Sequence, residues 1–268
     1  LFRSISYFVR DFLLARGVTW FYFKILSAYR PECVVLSNDH MYYIKSLELV
    51  CDYYNINTIY VQHASVSYAF PELHFTYTFL DGKDAFDKYS SDGKNIPENV
   101  VLLGAVRYDA LSKYRLGRVH EDRHCIGIAI NQLDEKAIVN NLCNALLDKY
   151  PDTRIKIRTH PALKNTPLII EEKSRIIYTC ATDEPVVDFF DDIDALISND
   201  SGIHFDAFIA GIPTIAYNLA TDHYGDNYGY VKSGILKLAS DFEEVAEFVD
   251  NKDMYAVDSK KLSVHDES

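Results

Sequence analysis

The sequence predicts an α/β fold: two Rossmann-like domains in tandem, their parallel sheets facing a central cleft. Three observations carry this. Short apolar runs alternate with longer segments of helical period along nearly the whole chain. Most of those runs end in polar residues, as strands do at the carboxyl edge of a parallel sheet. One polar, charged stretch, Arg115 to Arg123, interrupts the alternation midway, and the pattern then restarts.

Taken in order, Cys33 to Leu36 reads as a strand closed by Ser37-Asn38-Asp39-His40, and Met41 to Tyr54 as a helix. Thr58 to Val61 is the next strand, closed by Gln62-His63-Ala64. Phe75 to Leu80 is a third, with a turn at Asp81-Gly82 and a short helix over Lys83 to Tyr89. Val100 to Leu103 is a fourth, followed by Gly104 to Asp109 and a helix to about Tyr114. The first domain is thus expected over 1–115 and the linker over 116–123.

The second domain, expected over 124–251, opens with the strand Cys125 to Ile130, closed by Asn131-Gln132. A helix over Asp134 to Tyr150 turns Ile138, Leu142, Ala145 and Leu146 inward. Arg154 to Ile157 is a strand ending in Arg158-Thr159-His160-Pro161. Ile176 to Thr179 is a strand and Pro185 to Phe190 a helix. The strand Ala195 to Ile197 then breaks at Ser198-Asn199-Asp200-Ser201-Gly202 and leads into a helix from Ile203 to Ile209. Gly211 and Pro213 close that helix, and Pro213 to Tyr217 is the next strand. A Gly/Tyr-rich loop over Tyr224 to Gly234 precedes a strand at Ile235 to Leu238 and a helix at Asp241 to Val249; 252–268 read as a polar tail.

The net charge of −12 argues against general nucleic-acid binding. Residues 1–30 run the other way, with Arg3, Arg10, Arg16, Lys24 and Arg30 against Asp11 alone. Phe2, Ile5, Phe8, Phe12 and Leu13 share a helical face there, ahead of Trp20 to Phe23. That pattern suits peripheral contact with an anionic membrane surface; the reading preferred is a helix covering a core. No apolar run approaches the roughly 20 residues of a membrane span. No signal peptide is visible, and a chain opening on Leu1 is expected to continue something longer. The five cysteines, Cys33, Cys51, Cys125, Cys143 and Cys180, are scattered, without a close Cys-x-x-Cys pair. They read as reduced core residues of a cytoplasmic protein.

Chemistry is expected at the strand ends. Asn38, Asp39 and His40, Gln62 and His63, Arg107 and Asp109, Asn131, Arg158 and His160, and Asn199 to Gly202 all lie there. Ser201 beside a helix start reads as a helix cap or an anion site. Arg158 and His160, two apart, are expected on one side of their strand, where together they would clamp a phosphate. His63 is the candidate general base. Asp188, Asp191, Asp192 and Asp194 read as a solvated helix end, because a helix spreads them over different faces, so no metal site is expected.

Four motifs occur in order: Gln62-His63, Gly104-x-x-Arg107-x-Asp109, Arg158-x-His160-Pro161, and Ser198-Asn-Asp-Ser-Gly-Ile-His-Phe-Asp206. Together they resemble bacterial polymer transferases of the GT-B fold, most closely the CDP-glycerol:poly(glycerophosphate) glycerophosphotransferases of teichoic-acid and capsule synthesis. The set is also similar to capsule-type sialyl- and Kdo-transferases, which share the His-Pro motif. The loop Tyr224 to Tyr230 looks like the aromatic-Gly segment of that family.

The resemblance implies His63 as base toward an acceptor hydroxyl, with Gln62, Arg107 and Asp109 on the acceptor side. It implies His160 at the nucleotide phosphate, and Arg158, Asn131, Asn199, Asp200, Ser201, Gly202 and Asp206 around the donor. Ala64 stands where the family has Gly, and Asn199 to Gly202 replace its Asp-Tyr-Ser-Ser, so the donor is left open among CDP-, CMP- and UDP-linked groups. No cofactor is implied. The partners would be a nucleotide donor and a polysaccharide or lipid-linked acceptor, met on the cytoplasmic face of the cell membrane. Two other readings stand beside this one: a UDP-sugar epimerase of the same fold, and a non-catalytic nucleotide- or glycan-binding domain of a larger synthase.

Overall fold

The computed structural model describes residues 2–105, 108–117, 124–163 and 173–255. The described residues up to Ala105 form one compact unit, and those from Tyr108 onward form a second.

In the first unit, helix α1 (Phe2–Ala28) precedes strand β1 (Cys33–Leu36), α2 (Tyr42–Tyr53), β2 (Asn57–Val61), β3 (Tyr77–Leu80), α3 (Lys83–Tyr89) and β4 (Val100–Leu102). The strands pair in chain order, β1-β2-β3-β4, and every pairing is parallel. Their carboxyl ends therefore share one edge. Leu36, Tyr60, Leu73, Phe75, Leu80 and Tyr89 form the core, with the Tyr60 and Phe75 rings stacked at 5.0 Å.

Helix α1 packs on α2, and its buried Leu26 joins Val50 and Cys51 in a second small core. The preferred reading of residues 1–30 thus holds for one face of the helix. Trp20, 65% exposed, Phe12 and Leu13 lie outside it. No described helix is long and apolar enough to cross a membrane. Cys33 departs from expectation: it is exposed on β1, which among the described residues has a pairing partner on one side only, whereas the other four cysteines are buried.

The second unit begins with α4 (Asp109–Gly117) and continues through β5 (Cys125–Ile130), α5 (Lys136–Lys149), β6 (Arg154–Thr159), β7 (Ile176–Cys180), α6 (Val186–Asp191), β8 (Ala195–Ser198), α7 (Ile203–Ala210), β9 (Thr214–Tyr217), β10 (Leu238–Ala239) and α8 (Phe242–Asp250). Its six described strands are all parallel, in the order β7-β6-β5-β8-β9-β10. The chain runs outward from β5 in one direction and returns to build outward in the other. The switch point lies between β5 and β8, where doubly wound sheets open a crevice at their carboxyl edge.

Strands buried on both faces need continuous apolar runs. β5 is buried along its whole length, and so is β8. One face packs against α5 and α8 through Ile126, Ile128, Leu146, Val245 and Phe248. The other lies under α6, where Gly127 leaves room for Phe189 and Ile193. A Cβ at Gly127 would collide with Ile193 Cδ1 and meet Phe189 Cζ at 3.0 Å. Gly127→Ala is therefore expected to destabilise the protein by about 1–3 kcal/mol, the usual effect of overpacking a closed core. Urea unfolding checks this, and a midpoint equal to the parent's would contradict it.

Beyond shifts of a few residues at element ends, such as β6 running on to Thr159, three boundaries differ from expectation. Helix α4 packs on α6 and α7; Tyr114 Oη donates to Phe190 O at 3.2 Å, and the Tyr108 and Phe205 rings lie 5.3 Å apart. The compact units therefore divide before Tyr108, ahead of the charged stretch expected as linker, of which 118–123 lie outside the described residues. The last strand is Leu238–Ala239 rather than Ile235 to Leu238, because β10 takes its register from Ala216 and Tyr217 on β9. Of the expected tail, Lys252–Tyr255 forms a 3-10 turn with Tyr255 edge-on to Phe248 at 5.0 Å; 256–268 lie outside the described residues.

Candidate functional site

The second unit gathers three expected positions at its switch point. Asn131 follows β5, His160 follows β6, and Asn199 to Gly202 follow β8; these strands are adjacent. Asp134 ties two of the three ends together. Its Oδ2 accepts the Asn131 backbone N–H at 2.7 Å and its Oδ1 accepts Asn199 Nδ2 at 2.8 Å. Burial pushes the Asp134 carboxyl up from its usual range, opposed by these two donors. The sequence marked Asp134 only as a helix start, so its bridging role was missed.

Asn131 closes its own turn by accepting Leu133 N–H at 2.8 Å. Asp200 holds the aromatic loop, its Oδ2 accepting Asn227 N–H at 2.6 Å and Asn227 Nδ2 at 2.7 Å. That loop is itself a stack, with Tyr228 and Tyr230 at 5.5 Å and Tyr230 and Phe205 at 6.1 Å. Asn199, Asp200 and Asn131 thus shape the edge through contacts within the protein.

The residue at the start of α7 is Gly202, not Ser201. Ser201 Oγ accepts only a long 3.4 Å bond from Ile203 N–H, so the expected cap is displaced by one position. The same helix ends as expected: Gly211 is left-handed at φ 73°, and Ile212 N–H reaches back to Ala207 O at 2.8 Å. Within α7, His204 is fully buried. Its Nε2 lies 2.9 Å from Asn199 O and its Nδ1 2.7 Å from Thr214 Oγ1. A carbonyl only accepts, so Nε2 carries the proton and Nδ1 takes the threonine hydroxyl's. Burial drives the His204 pKa down to about 4. It is a neutral strut joining the β8 turn to β9.

His160 is exposed just past β6, beside a 3-10 turn at Pro161–Leu163. The Ala162 backbone N–H donates to its Nδ1 at 3.2 Å, which leaves the neutral ring's proton on Nε2 as an outward donor. Arg158 does not join it. By the period of two it shares a sheet face with Lys156 beneath α6, while His160 lies beyond the strand's end. Arg158 Nη1 donates to Glu184 O at 2.9 Å, and its guanidinium carbon sits 5.4 Å from the Phe189 ring centre. Burial lowers its pKa, with the charges of Glu184 and Asp206 acting the other way. Asp206, in the first turn of α7, thus acts on Arg158 by charge. The expected Arg158–His160 clamp is replaced by a buried cation pair, Lys156 and Arg158, answered by Glu184, with Asp192 also on Lys156 at 2.5 Å.

Asp192 accounts for one member of the aspartate cluster. Asp194 Oδ2 accepts Cys125 N–H at 3.0 Å and Asp191 Oδ1 faces Tyr114 Oη. Among the described residues, no three His, Cys, Asp or Glu side chains gather to hold a metal.

In the first unit, Gln62 is buried and structural: its Oε1 accepts Asp81 N–H at 2.9 Å and its Nε2 donates to Ala64 O at 2.9 Å. His63, the next residue, is exposed on the same edge. Beside it, past β1, lies a pairing that no single segment announces. Asp39, with no exposed surface, accepts His40 Nδ1–H at 2.9 Å on Oδ1 and the Tyr89 hydroxyl at 2.7 Å on Oδ2. The Tyr60 hydroxyl lies 3.3 Å from that of Tyr89. Burial pushes the Tyr89 phenol far up, keeping it a neutral donor. Asn38 Oδ1 accepts the His40 and Met41 N–H groups, and Phe70 lies against the His40 ring at 4.5 Å. His40, its side chain 34% exposed, is held with the Nδ1 proton on Asp39 and the Nε2 lone pair free of it. Asp109, expected on the acceptor side, instead opens α4 in the second unit, and Arg107 lies outside the described residues.

No family model and no curated protein sequence matches the chain. Solved structures do. The Neisseria meningitidis UDP-GlcNAc 2-epimerase bound to UDP-GlcNAc is similar at TM-score 0.66 and 16% identity, over 91% of this chain and 76% of that one. Staphylococcus aureus MnaA with UDP is similar at 0.64 and 19%, over 91% and 74%. The wall teichoic acid polymerase TagF is similar at 0.52 and 15%, over 75% and 61%. At such identities the likeness establishes the fold: α/β, with two Rossmann-like units of the GT-B type.

Proposed function

We propose that this chain is an enzyme of nucleotide-activated sugars or polyol phosphates, a transferase that extends a surface polysaccharide. The observation that carries the proposal is that a histidine at the carboxyl edge of each sheet has its Nδ1 fixed by a partner. His160, with Nδ1 occupied by Ala162 N–H, is a hydrogen-bond donor through Nε2. His40, with Nδ1–H held by buried Asp39, is a proton acceptor through Nε2. A displacement at a nucleotide-linked carbon or phosphorus is helped by a base on the attacking hydroxyl and by hydrogen-bond donors at the leaving phosphate.

The nucleotide's phosphates would lie at the switch point of the second unit. His160 Nε2–H donates there, and the N–H groups opening α7 add the favourable end of the helix dipole. Ser201 and Gly202 line that approach; Asp206 and Arg158 support it from below, and Asp134 fixes it by tying Asn131 to Asn199. Negative charge growing on the leaving phosphate is met by donors already in place. The acceptor hydroxyl would lose its proton on the first unit's edge, where His40 has the orientation of a base and exposed His63 borders it. A membrane-face location accords with the exposed Trp20 and Phe21 and basic Arg10 and Arg16 of α1.

Asp39→Asn tests the base. The amide can donate to Nδ1 and so favours the wrong tautomer; turnover is expected to fall about a hundredfold with little change in KM. Turnover within threefold of the parent would remove His40 from the proton path.

The epimerase reading is favoured by the two neighbours named above with bound UDP-GlcNAc or UDP. Proton NMR of UDP-GlcNAc with the enzyme alone separates the readings. An isomeric UDP-sugar formed without acceptor supports the epimerase; release of nucleotide only on adding a glycan acceptor supports the transferase. A panel of CMP, CDP, CDP-glycerol, UDP and GDP in thermal unfolding identifies the donor, since a ligand at a hundred times its Kd adds about 2.7 kcal/mol. Stabilisation without turnover in any combination would indicate a binding domain.

A further inference from the structure

The carboxylate that orients His40 is itself held from behind. Asp39 has no exposed surface, and Tyr89 and Tyr60, from α3 and β2, are buried in the first unit's core. The Tyr89 hydroxyl lies 2.7 Å from Asp39 Oδ2, and the Tyr60 hydroxyl lies 3.3 Å from that of Tyr89. A carboxylate only accepts, so the one phenolic proton of Tyr89 goes to Asp39. The Tyr89 oxygen is then left as an acceptor, and the Tyr60 hydroxyl donates to it. The bonds therefore run in one sense, from Tyr60 to Tyr89 to Asp39, while His40 Nδ1–H donates at 2.9 Å to the other carboxylate oxygen.

Phenylalanine would fill either place in the core without burying a polar atom, so the two hydroxyls are explained by what they do to Asp39. A donor to an ionised carboxylate stabilises its charge and weakens its hold on a proton. A hydroxyl that accepts one bond also donates a stronger one. Among the described residues, Asp39 is the charged group paired with His40. Phe70, from the loop ahead of β3, lays a neutral ring on the imidazole at 4.5 Å. On the helices of this unit Lys88 pairs with Asp84 on α3 and Lys45 with Glu48 on α2, and exposed His63 follows β2.

We infer that Tyr89, supported by Tyr60, is a positioning residue that tempers the Asp39 carboxylate, so that His40 stays oriented yet keeps its Nε2 lone pair near neutral pH. Without that donor the same carboxylate would hold a proton on the imidazole more firmly. The lone pair that could take a proton from an attacking hydroxyl would then be occupied. The place of this relay in a reaction rests on the reading of His40 as a base; its effect on the titration of His40 does not.

The test is a proton NMR titration of the nine histidines of the whole chain, with the His40 signal identified by its absence from His40→Gln. Tyr89→Phe is expected to move the His40 midpoint to higher pH by about half a unit or more, and Asp39→Asn to move it to lower pH. Tyr60→Phe is expected to act in the same direction as Tyr89→Phe, by less. His160, in the second unit, should titrate as in the parent throughout. The acidic limb of the pH–turnover profile should rise with the His40 midpoint, so that Tyr89→Phe loses activity near neutral pH and recovers it at higher pH. An unchanged or lowered His40 midpoint in Tyr89→Phe overturns the inference, as does an equal shift at His160, which a general loosening would give. Should that variant fold poorly, Tyr60→Phe leaves the bond to Asp39 in place, and an unchanged or lowered midpoint there overturns the inference too. A midpoint raised as expected, with turnover that follows the parent's pH profile, supports the relay and removes His40 from the proton path.

Discussion

His160→Ala is expected to lower turnover about a hundredfold or more and to abolish the thermal stabilisation given by the donor nucleotide. The side chain is exposed beyond β6, so its removal takes little from the core. Stability without ligand should stay within about 0.5 kcal/mol of the parent, as for other surface changes. What is lost is the Nε2–H donor fixed by the Ala162 N–H on Nδ1. His160→Gln sharpens the test, because its amide can donate a hydrogen bond in place of Nε2–H. It is expected to keep a large part of the nucleotide stabilisation and to turn over faster than the alanine variant. Turnover within threefold of the parent in the alanine variant would sink the donor-site assignment, whatever the substrate.

The second large effect is on acid stability, through His204. Its pKa is about 4 in the folded protein, where burial excludes the charged ring, against about 6.5 in an unfolded chain. Above pH 6.5 the ring is neutral in both states and contributes nothing to pH dependence. As pH falls below 6.5 the unfolded chain takes up a proton that the folded protein refuses, so stability is lost. The loss continues until the folded protein also protonates near pH 4, and it totals about 3 kcal/mol. His204→Gln, which keeps a donor for Asn199 O, is expected to flatten this part of the profile even if it is less stable at neutral pH. Urea unfolding of both proteins between pH 7 and pH 4 measures the difference. A parallel fall in the two would show that His204 is not the titrating group. Protonation would also reverse the bond with Thr214, whose hydroxyl would have to rotate and accept from Nδ1–H.

Much of the fold was legible because it is local. The strand Cys125–Ile130 and the helix Lys83–Tyr89 fall where their apolar period places them, and Gly211 ends α7 where only a left-handed residue continues the chain. Polar residues that interrupt apolar runs marked the carboxyl ends of strands, which brought His63, His160, Asn131 and Asn199 to sheet edges before any tertiary information. One-residue placements were less legible: Ser201 and Gly202 are equally polar in sequence, and only the backbone decides which one opens the helix.

By itself, then, the sequence determined two parallel α/β units and the strand ends where polar residues gather, because periodicity and chain breaks act over a few residues. The tertiary structure alone decided what each polar side chain does there. Arg158 meets Glu184 26 residues away, Tyr89 meets Asp39 50 residues away, and Asn199 meets Asp134 65 residues away. Those pairings exist because β8 returns beside β5 and because α3 carries Tyr89 to the carboxyl end of β1. Strand order is a long-range outcome of packing, and whether a histidine's Nε2 carries the proton or the lone pair follows from the partner that packing delivers to its Nδ1.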